Sequence, residues 1–160
     1  DVRDNDGGTL DAVVDISSMF LDTSDELVMY VEKGDGTRTN WRVRDIGIAK
    51  DIPMVLLVNE RSASSSEVLA GALQDHKRAT IIGTNTFGKG SVNILRSLSN
   101  GGGLYITIAH WYTPLGRLIQ GEGLTPDIEV LDRDPRESDI KQLRRAIEEL
   151  ERMVDGEQSP

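Results

Sequence analysis

The chain has 160 residues, of which 38% are hydrophobic and 28% are charged, which is the size and balance of one globular domain with an apolar core. Its net charge of −9 argues against a nucleic-acid surface, because phosphate binding draws on clustered lysine and arginine. The lack of cysteine excludes disulfides, thiolate metal sites and a cysteine nucleophile.

No apolar run is long enough to span a bilayer, and the start of the chain has neither a basic region nor the apolar stretch of a secretion signal. Because the chain also opens without a methionine, we expect a fragment or a processed product. Membrane association is therefore expected only through regions outside this chain.

The first half of the chain predicts a helix, a hairpin and a buried strand. Apolar residues recur at helical spacing over residues 9–21. Two strand-like runs, 27–31 and 39–43, flank a glycine-rich turn at 34–36 and predict a β-hairpin. Residues 54–58 form a continuous apolar run, typical of a strand covered on both faces, so we expect a central strand there.

The second half continues with a helix predicted over residues 64–76 and a strand over 79–82. The short connections in this strand, helix, strand order imply that the two strands pair in parallel. Further strands are predicted at residues 92–98, 104–112 and 128–131.

The last predicted element is a highly charged amphipathic helix over residues 136–154, with an apolar stripe at intervals of three and four residues. The stripe consists of Ile140, Leu143, Ile147, Leu150 and Val154. Residues 156–160 are expected to fray. The order of elements predicts an α/β fold with a mixed sheet and this C-terminal helix.

A serine-rich segment, SASSSE at residues 62–67, opens the second predicted helix. One interpretation is a capping box, in which Ser64 caps the helix and Glu67 reaches back to it. The other is a nucleophile, because a hydroxyl between a buried strand and a helix lies where α/β folds place their sites. Backbone N–H groups at that helix start could also stabilise an oxyanion. The segment alone leaves both interpretations open.

A lysine between two glycines, Lys89 in TFGKG at residues 86–90, is the candidate base. A hydroxyl is a poor nucleophile at neutral pH unless a neighbour takes its proton, and a lysine does so once desolvation favours its neutral amine. Phe87 supplies apolar surface and the glycines let the backbone pass closely, so we expect a partly desolvated Lys89. The alternative is a solvated lysine in a glycine turn.

The same segment also fits part of a phosphate-binding loop. Residues 83–89, GTNTFGK, match the first positions of GxxxxGK[ST] and follow a predicted strand. Gly90 then stands where a serine or threonine should bind magnesium, and the next residues favour a strand over the required helix. A nucleotide-binding domain is therefore kept as a minor alternative.

We predict no metal and no cofactor. The sequence has no HExxH motif and no calcium loop, and its two histidines have no partner nearby in sequence. His76 is expected at the end of a helix, where a positive ring suits the helix dipole. His110 is expected in an apolar strand, as a residue in or beside the core.

Several motifs, in order along the chain, resemble those of the C-terminal processing peptidases, also called tail-specific proteases. They are DVRDNDGG at 1–8, NERSASSSE at 59–67, AGALQD at 70–75, TFGKG at 86–90, YTPLGR at 112–117 and TPDI at 125–128. So many ordered matches are far more specific than any single motif. The resemblance covers residues 1 to about 130.

By this resemblance, Ser64 would be the nucleophile and Lys89 the general base. The oxyanion would be held by backbone N–H groups, one from Ser65 after the nucleophile and one from the glycines Gly7 and Gly8. The family usually has alanine at the position of Ser65, and we expect the added hydroxyl to be tolerated.

Five further residues follow from the resemblance. Asn93 stands where some members carry a glutamine that orients the lysine, and its shorter side chain weakens that contact. Glu67 and Asp75 are expected to support the site. Ser62 and Ser66 would be structural neighbours.

The resemblance implies a crotonase-like fold and peptide-bond hydrolysis through an acyl-enzyme on Ser64. The chain then divides into a partial catalytic core at 1–133 and a helix with a frayed tail at 134–160. The PDZ domain and the strands that usually precede the first motif are not part of it.

The expected partners are protein or peptide substrates with apolar C-terminal tails, handled outside the cytoplasm in the periplasm or cell envelope. A homo-oligomer is compatible with the resemblance. The alternative is a non-catalytic binding or assembly module of the same fold, which the departure at Asn93 motivates.

Overall fold

The structure is a computed structural model that describes residues 1–22, 26–44, 47–132 and 134–157. Its elements are α1 (Leu10–Phe20), β1 (Leu27–Lys33), β2 (Arg38–Arg42), β3 (Val55–Val58), α2 (Ser65–Asp75), β4 (Thr80–Gly83), β5 (Ser91–Ser97), β6 (Gly103–Tyr112), β7 (Ile128–Glu129) and α3 (Pro135–Glu157). The helices and strands predicted up to residue 131 are confirmed, with ends that differ by a few residues.

Local signals explain where the first elements begin and turn. The hydroxyl of Thr9 accepts the N–H of Ala12 at 3.3 Å and so caps the start of α1. In the turn between β1 and β2, the Asp35 carboxylate accepts the N–H of Thr37 at 2.9 Å, and this bond lowers the pKa of Asp35. Gly36 follows with a φ of +81°, a conformation that glycine adopts without strain.

The strands in the described ranges form two separate sheets. One is antiparallel with the order β2-β1-β6-β5, and the other is parallel with the order β3-β4-β7. The predicted mixed sheet is therefore wrong, because parallel and antiparallel pairs lie in different sheets. Short turns join β1 to β2 and β5 to β6 and permit only antiparallel pairing, whereas β3 reaches β4 through helix α2.

Strand β3 pairs in parallel with β4, as predicted, with Leu56 opposite Ile81. The prediction of a central strand is wrong, because β4 lies in the middle of the described sheet and β3 lies at its edge. The continuous apolar run arises from coverage of both faces. Leu56 and Val58 face the main core, whereas Leu57 packs with Ala146 of α3.

Helix α2 is buried along most of its length and contributes Val68, Leu69, Ala72 and Leu73 to the main core. A Cβ at Gly71 would lie 2.7 Å from the Thr113 methyl carbon, so glycine is needed for the loop after β6 to approach the helix. This close packing brings the loop 113–125 alongside the helix that opens at the serine-rich segment.

Helix α3 packs on the parallel sheet through its small and polar residues. Ala146 contacts the β3 and β4 side chains, and the buried Gln142 donates to the Val130 carbonyl oxygen at 3.0 Å. The apolar stripe does not face the sheet, since Ile140 is 52% exposed and Ile147 is 48% exposed. Of the expected frayed tail, Gly156 belongs to the helix and residues 158–160 lie outside the described residues.

Candidate active site

Ser64 lies between β3 and α2 and has a backbone conformation that residues other than glycine rarely adopt. Its φ is +57° and its ψ is −118°, and it is half-buried. A positive φ at a residue other than glycine costs free energy and persists only where the surroundings enforce it. A strained serine between a strand and a helix is also the arrangement that exposes the nucleophile in α/β-hydrolases.

The capping box predicted at this helix start is present in its glutamate half. The N–H of Ser64 donates to the Glu67 carboxylate at 2.9 Å. The N–H of Glu67 in turn donates to the backbone oxygen of Ser64 at 2.9 Å. The backbone of Ser64 therefore takes part in both bonds that close the first turn of α2.

The other three serines of the segment hold the first eight residues of the chain against α2. Each of their hydroxyls donates to a backbone carbonyl oxygen of that stretch, and these bonds run from Ser62 to Val2 (2.7 Å), from Ser66 to Asn5 (2.9 Å) and from Ser65 to Gly8 (2.9 Å). The N–H of Ala63 also donates to the Asn5 oxygen at 3.0 Å. Ser62 and Ser66 are thus structural neighbours, as expected, and Ser65 shares their role.

The glycines of the first motif lie against the serine. A Cβ at Gly7 would lie 2.9 Å from both the Ser64 Cβ and the Ser65 nitrogen, so only glycine fits at this position. The N–H of Gly7 is already engaged, because it donates to the Asn5 side-chain oxygen at 2.9 Å. Within the described ranges, the N–H groups of Gly8 and Ser65 have no hydrogen-bond partner.

Glu67 is fully buried and joins the serine segment to the lysine segment. One carboxylate oxygen accepts the Thr86 hydroxyl at 2.5 Å and the N–H of Gly88 at 2.7 Å. The other accepts the N–H of Ser64 and the N–H of Lys89, each at 2.9 Å. Four donors satisfy the buried charge. The backbones of Ser64 and Lys89 are thereby fixed to the same side chain.

The lysine segment is extended, and its residues alternate between buried and exposed from 84 to 90. Thr86, Gly88 and Gly90 are buried, whereas Phe87 is 65% exposed and Lys89 is also exposed. The part of the chain that the structure describes gives the Lys89 ammonium no hydrogen-bond or ion-pair partner. The expected desolvation of Lys89 by Phe87 and the glycines is therefore wrong for this chain.

The physical reason is that the glycines bury the backbone and not the side chains. A Cβ at Gly88 would lie 3.0 Å from the Gly123 nitrogen, and a Cβ at Gly90 would lie 2.5 Å from the Gln120 nitrogen. The N–H of Gly121 donates to the Gly88 oxygen at 2.9 Å, which ties the two segments together. With the backbone pressed on this loop, alternate side chains point outward.

Asn93 lies on β5 and its amide is bound by residues other than Lys89. Its nitrogen donates to the Ser91 hydroxyl at 3.0 Å, and its oxygen accepts the Thr107 hydroxyl at 2.6 Å. Asn93 and Lys89 share no hydrogen bond among the residues described. The structure therefore brings Ser64, Glu67 and the Lys89 backbone together, and leaves the Asn93 amide with its strand neighbours.

Asp75 lies at the other end of α2, which has 11 residues and thus a length of about 16 Å. Its carboxylate pairs with the Arg117 guanidinium and accepts the N–H of Leu115 at 2.8 Å. The side chain of Asp75 is only 3% exposed. Asp75 thus anchors the loop after β6 and does not touch the serine.

Sequence reasoning missed three polar residues that hold the site. Besides its bond to Glu67, the Thr86 hydroxyl accepts the N–H of Leu124 at 2.7 Å, which joins the lysine segment to the loop after β6. Gln120 accepts the N–H of Gly90 at 3.0 Å, and Asn5 engages Gly7. Thr86 was visible within the TFGKG motif, whereas nothing in the local pattern around Gln120 signalled its contact.

The nucleotide-binding alternative does not fit this geometry. A phosphate-binding loop delivers its ligand to the N-terminus of a helix, and here the loop leads into strand β5. Among the described residues, no group of three or more histidine, aspartate and glutamate side chains could hold a metal ion. No helix in the same ranges combines the length and apolarity needed to cross a bilayer.

The model of peptidase family S41 matches residues 1–130, so the chain belongs to this family. A carboxy-terminal-processing protease of Bartonella bacilliformis is 46% identical over 131 residues, which cover 81% of this chain and 30% of that protein. A carboxyl-terminal-processing protease of Synechocystis is 42% identical over 133 residues, covering 83% of this chain and 30% of that protein. The resemblance found in the sequence is confirmed.

A solved structure, the photosystem II D1 C-terminal processing protease, matches with a TM-score of 0.76 at 36% identity. The match covers 90% of this chain and 36% of that structure. The α/β arrangement of sheets and helices is thus that of a family member. The chain spans 30% of the length of the two relatives named above.

Proposed function

We propose that this chain is the catalytic core of a serine endopeptidase that cleaves peptide bonds near the C-terminal tails of proteins. Ser64 is the nucleophile and Lys89 is the general base. The observation that carries the proposal is the Glu67 carboxylate, which accepts the backbone N–H of both residues at 2.9 Å. Membership of the family and the names of the relatives support the same reaction class.

In the first step, the Ser64 hydroxyl oxygen attacks the scissile carbonyl carbon while its proton passes to the Lys89 amine. The carbonyl oxygen becomes an oxyanion next to the N–H groups of Gly8 and Ser65, which have no partner among the residues that the structure describes. These are the donors we assign to the oxyanion, and Gly7 serves instead as the close contact that lets Gly8 approach the serine. Preorganised donors of this kind are worth roughly a hundredfold to a thousandfold in turnover.

In the second step, the carbon–nitrogen bond breaks and Lys89 returns the proton to the leaving amine. Water then attacks the carbonyl carbon of the ester on Ser64 while Lys89 takes a proton from the water. The carbon–oxygen bond to Ser64 breaks, Lys89 gives the proton to the Ser64 oxygen, and the acid product leaves. Atoms and charges balance without a cofactor. Asn93 has no part in this scheme, because Ser91 and Thr107 engage its amide.

A lysine base must lose solvent, and this chain leaves Lys89 exposed. We therefore propose that the bound substrate, or protein outside the described residues, covers Lys89 and the neighbouring Phe87 during catalysis. The exposed Phe87 ring supplies an apolar contact for such a cover. Burial of the amine then favours its neutral form in the closed complex.

By family resemblance we further propose a crotonase-like fold, substrates with apolar C-terminal tails and a location outside the cytoplasm. The division into a core at 1–133 and a C-terminal helical region at 134–160 stays a prediction. These statements concern the whole protein. The match covers only 30% of the length of the two relatives named above.

The test is cleavage of an apolar tail peptide by the full-length protein and its Ser64→Ala and Lys89→Ala variants. Each substitution should lower kcat/KM by at least roughly a hundredfold, the lower range for loss of a general base. Ser99→Ala and Lys33→Ala, which alter exposed residues elsewhere, serve as matched controls. Circular dichroism establishes that all variants fold.

Normal turnover by Lys89→Ala would refute the lysine-base mechanism. A folded wild-type protein that binds the tail peptide without cleaving it would favour the second candidate, a non-catalytic binding module. The observation that favours this candidate is the Asn93 amide, whose engagement by Ser91 and Thr107 leaves it unable to orient Lys89.

A further inference from the structure

Helix α3 carries an apolar stripe that the described part of the chain leaves half uncovered. Its members are Ile140, Leu143, Ile147, Leu150 and Val154. All of them except Leu150 are between 43% and 52% exposed. Ile147, Leu150 and Val154 also line a surface groove of about 450 Å³. A continuous apolar row on an exposed helix face is typical of an interaction surface.

The spacing of the stripe is that of a coiled coil. Its residues follow one another at alternating intervals of three and four, which repeats every seven residues and lets one helix pack along another. The face of α3 that packs on the parallel sheet is a different one, where Gln142 and Ala146 are buried. A second helix can therefore bind along the stripe, over a length of about 21 Å, while α3 stays on the sheet.

Two exposed residues of opposite charge, Arg144 and Glu151, lie beside the stripe. Each directly follows a leucine of the stripe, so the two occupy equivalent positions seven residues apart. Neither makes an ion pair among the residues that the structure describes, whereas the neighbouring Arg145 binds Glu149 at 3.0 Å. Charges at this position of a coiled coil decide which helices pair and in which orientation.

We propose that the stripe binds α3 of a second copy of this chain, in antiparallel orientation about a two-fold axis. Leu143 of one copy then packs against Val154 of the other and Ile147 packs against Leu150, and the symmetry makes each contact occur twice. The same register places Arg144 opposite Glu151 of the second copy. The pair of helices therefore gains two ion pairs between charges that have no partner within one copy.

The charges also select this register against its neighbours. If the second helix shifts by seven residues in one direction, the apolar contacts are retained, but Arg144 faces its own copy and Glu137 faces Glu151. If it shifts in the other direction, only Leu150 and Val154 still meet, and Glu151 faces its own copy. Like charges in contact disfavour pairing. Of these three registers, only the proposed one places opposite charges together.

The dimer should be weak, because a single pair of helices is a small interface. We expect the full-length protein to pass from monomer to dimer at concentrations of about 1–100 µM. Sedimentation velocity measures this association. It needs no substrate and no turnover, so its result does not depend on the proposed function.

Exchange of the two charges tests the register directly. Arg144→Glu and Glu151→Arg should each weaken the dimer roughly tenfold, because each replaces two attractions with two repulsions. An equimolar mixture of the two variants should associate like the wild-type protein, because opposite charges face each other again. The double variant should do the same. Lys33→Glu makes the same change of charge at an exposed position on β1 and is the matched control.

Ile147→Glu places a carboxylate in the middle of the stripe, where burial would leave it without a partner, and should weaken the dimer by more than about a hundredfold. Ile48→Glu alters an exposed isoleucine outside α3 and serves as its control. Circular dichroism establishes that the variants fold.

A protein that stays monomeric throughout this concentration range would overturn the proposal. If Ile147→Glu then also lowered the unfolding temperature strongly, the stripe would be covered by another part of the same protein. A dimer that Arg144→Glu and Ile147→Glu leave unchanged would place the interface elsewhere and overturn the proposal as well. Loss of association in the single variants that neither the mixture nor the double variant restores would overturn the antiparallel register.

Discussion

The two ends of helix α2 each carry a buried carboxylate, and the two carboxylates are satisfied in different ways. At the start, Glu67 accepts only neutral donors, three backbone N–H groups and the Thr86 hydroxyl. At the end, Asp75 pairs with the Arg117 guanidinium and accepts one backbone N–H. The first carboxylate positions backbone segments, whereas the second neutralises a cation.

This difference has a consequence for what each end can do. Neutral backbone donors hold Glu67 in a single arrangement, and in return Glu67 fixes the segments that carry Ser64 and Lys89. Arg117 is 39% exposed, so its pairing with Asp75 is screened by solvent and tolerates rearrangement. The start of α2 therefore fixes the positions of the segments that carry Ser64 and Lys89, and its end attaches the loop after β6.

Glu67→Gln should have the largest effect. The amide nitrogen of glutamine is a donor, and it would replace a carboxylate oxygen that now accepts two hydrogen bonds. The loss of charge-assisted bonds and the donor left without a partner should lower the free energy of unfolding by about 2–4 kcal/mol. Urea denaturation measures this change. Peptide cleavage should fall by at least roughly a hundredfold.

Glu122→Gln, at an exposed position, is the matched control and should leave both quantities unchanged. If Glu67→Gln lowers stability alone and keeps turnover, Glu67 is a structural residue and the shared anchoring of Ser64 and Lys89 is irrelevant to catalysis.

Most of the fold could be predicted because its signals are local. Periodicity over α1 and α2, the glycine turn of the β1-β2 hairpin and the apolar run of β3 each lie within one stretch of sequence. The distribution of strands between two sheets could not be predicted, because it depends on contacts between distant residues such as the pairing of β1 with β6. Edge and central strands also share one signal when both faces are covered.

The candidate site divides in the same way. Ser64 and Glu67 lie three residues apart, and a known capping pattern links them, so their relation was predictable. The exposure of Lys89 was not, because it depends on how Gly88 and Gly90 pack on a loop thirty or more residues away, around Gln120. The role of Asp75 could not be predicted for a similar reason, because its partner Arg117 lies in another motif further along the chain.

Asp75→Asn should have a smaller effect than Glu67→Gln, because asparagine can still accept the Leu115 N–H, and the Arg117 guanidinium, which loses its carboxylate acceptor, is 39% exposed and can be solvated instead. We expect a decrease of about 1–2 kcal/mol in the free energy of unfolding and little change in turnover. A double-mutant cycle with Arg117→Ala measures the coupling between the two side chains.

The reverse pattern, in which Asp75→Asn preserves stability and abolishes turnover, would contradict the division of roles between the two ends of α2. It would instead mean that the loop after β6 transmits its position to Gly88 and Gly90.

Ser65→Ala should have the smallest effect and tests how finely the start of α2 is adjusted. Its hydroxyl donates to the Gly8 oxygen at 2.9 Å, and Gly8 is exposed, so water can replace the lost donor. The cost should be about 0.5–1 kcal/mol, with a two- to fivefold decrease in kcat/KM as the Gly8 N–H shifts relative to the oxyanion.

Ser97→Ala, an exposed serine on β5, should change neither quantity and serves as the control. A hundredfold loss in Ser65→Ala would instead indicate that the hydroxyl itself contacts the reacting carbonyl, since that is the range for removing an oxyanion donor. A modest effect confined to kcat would mean that this bond adjusts the oxyanion donor and does not create it.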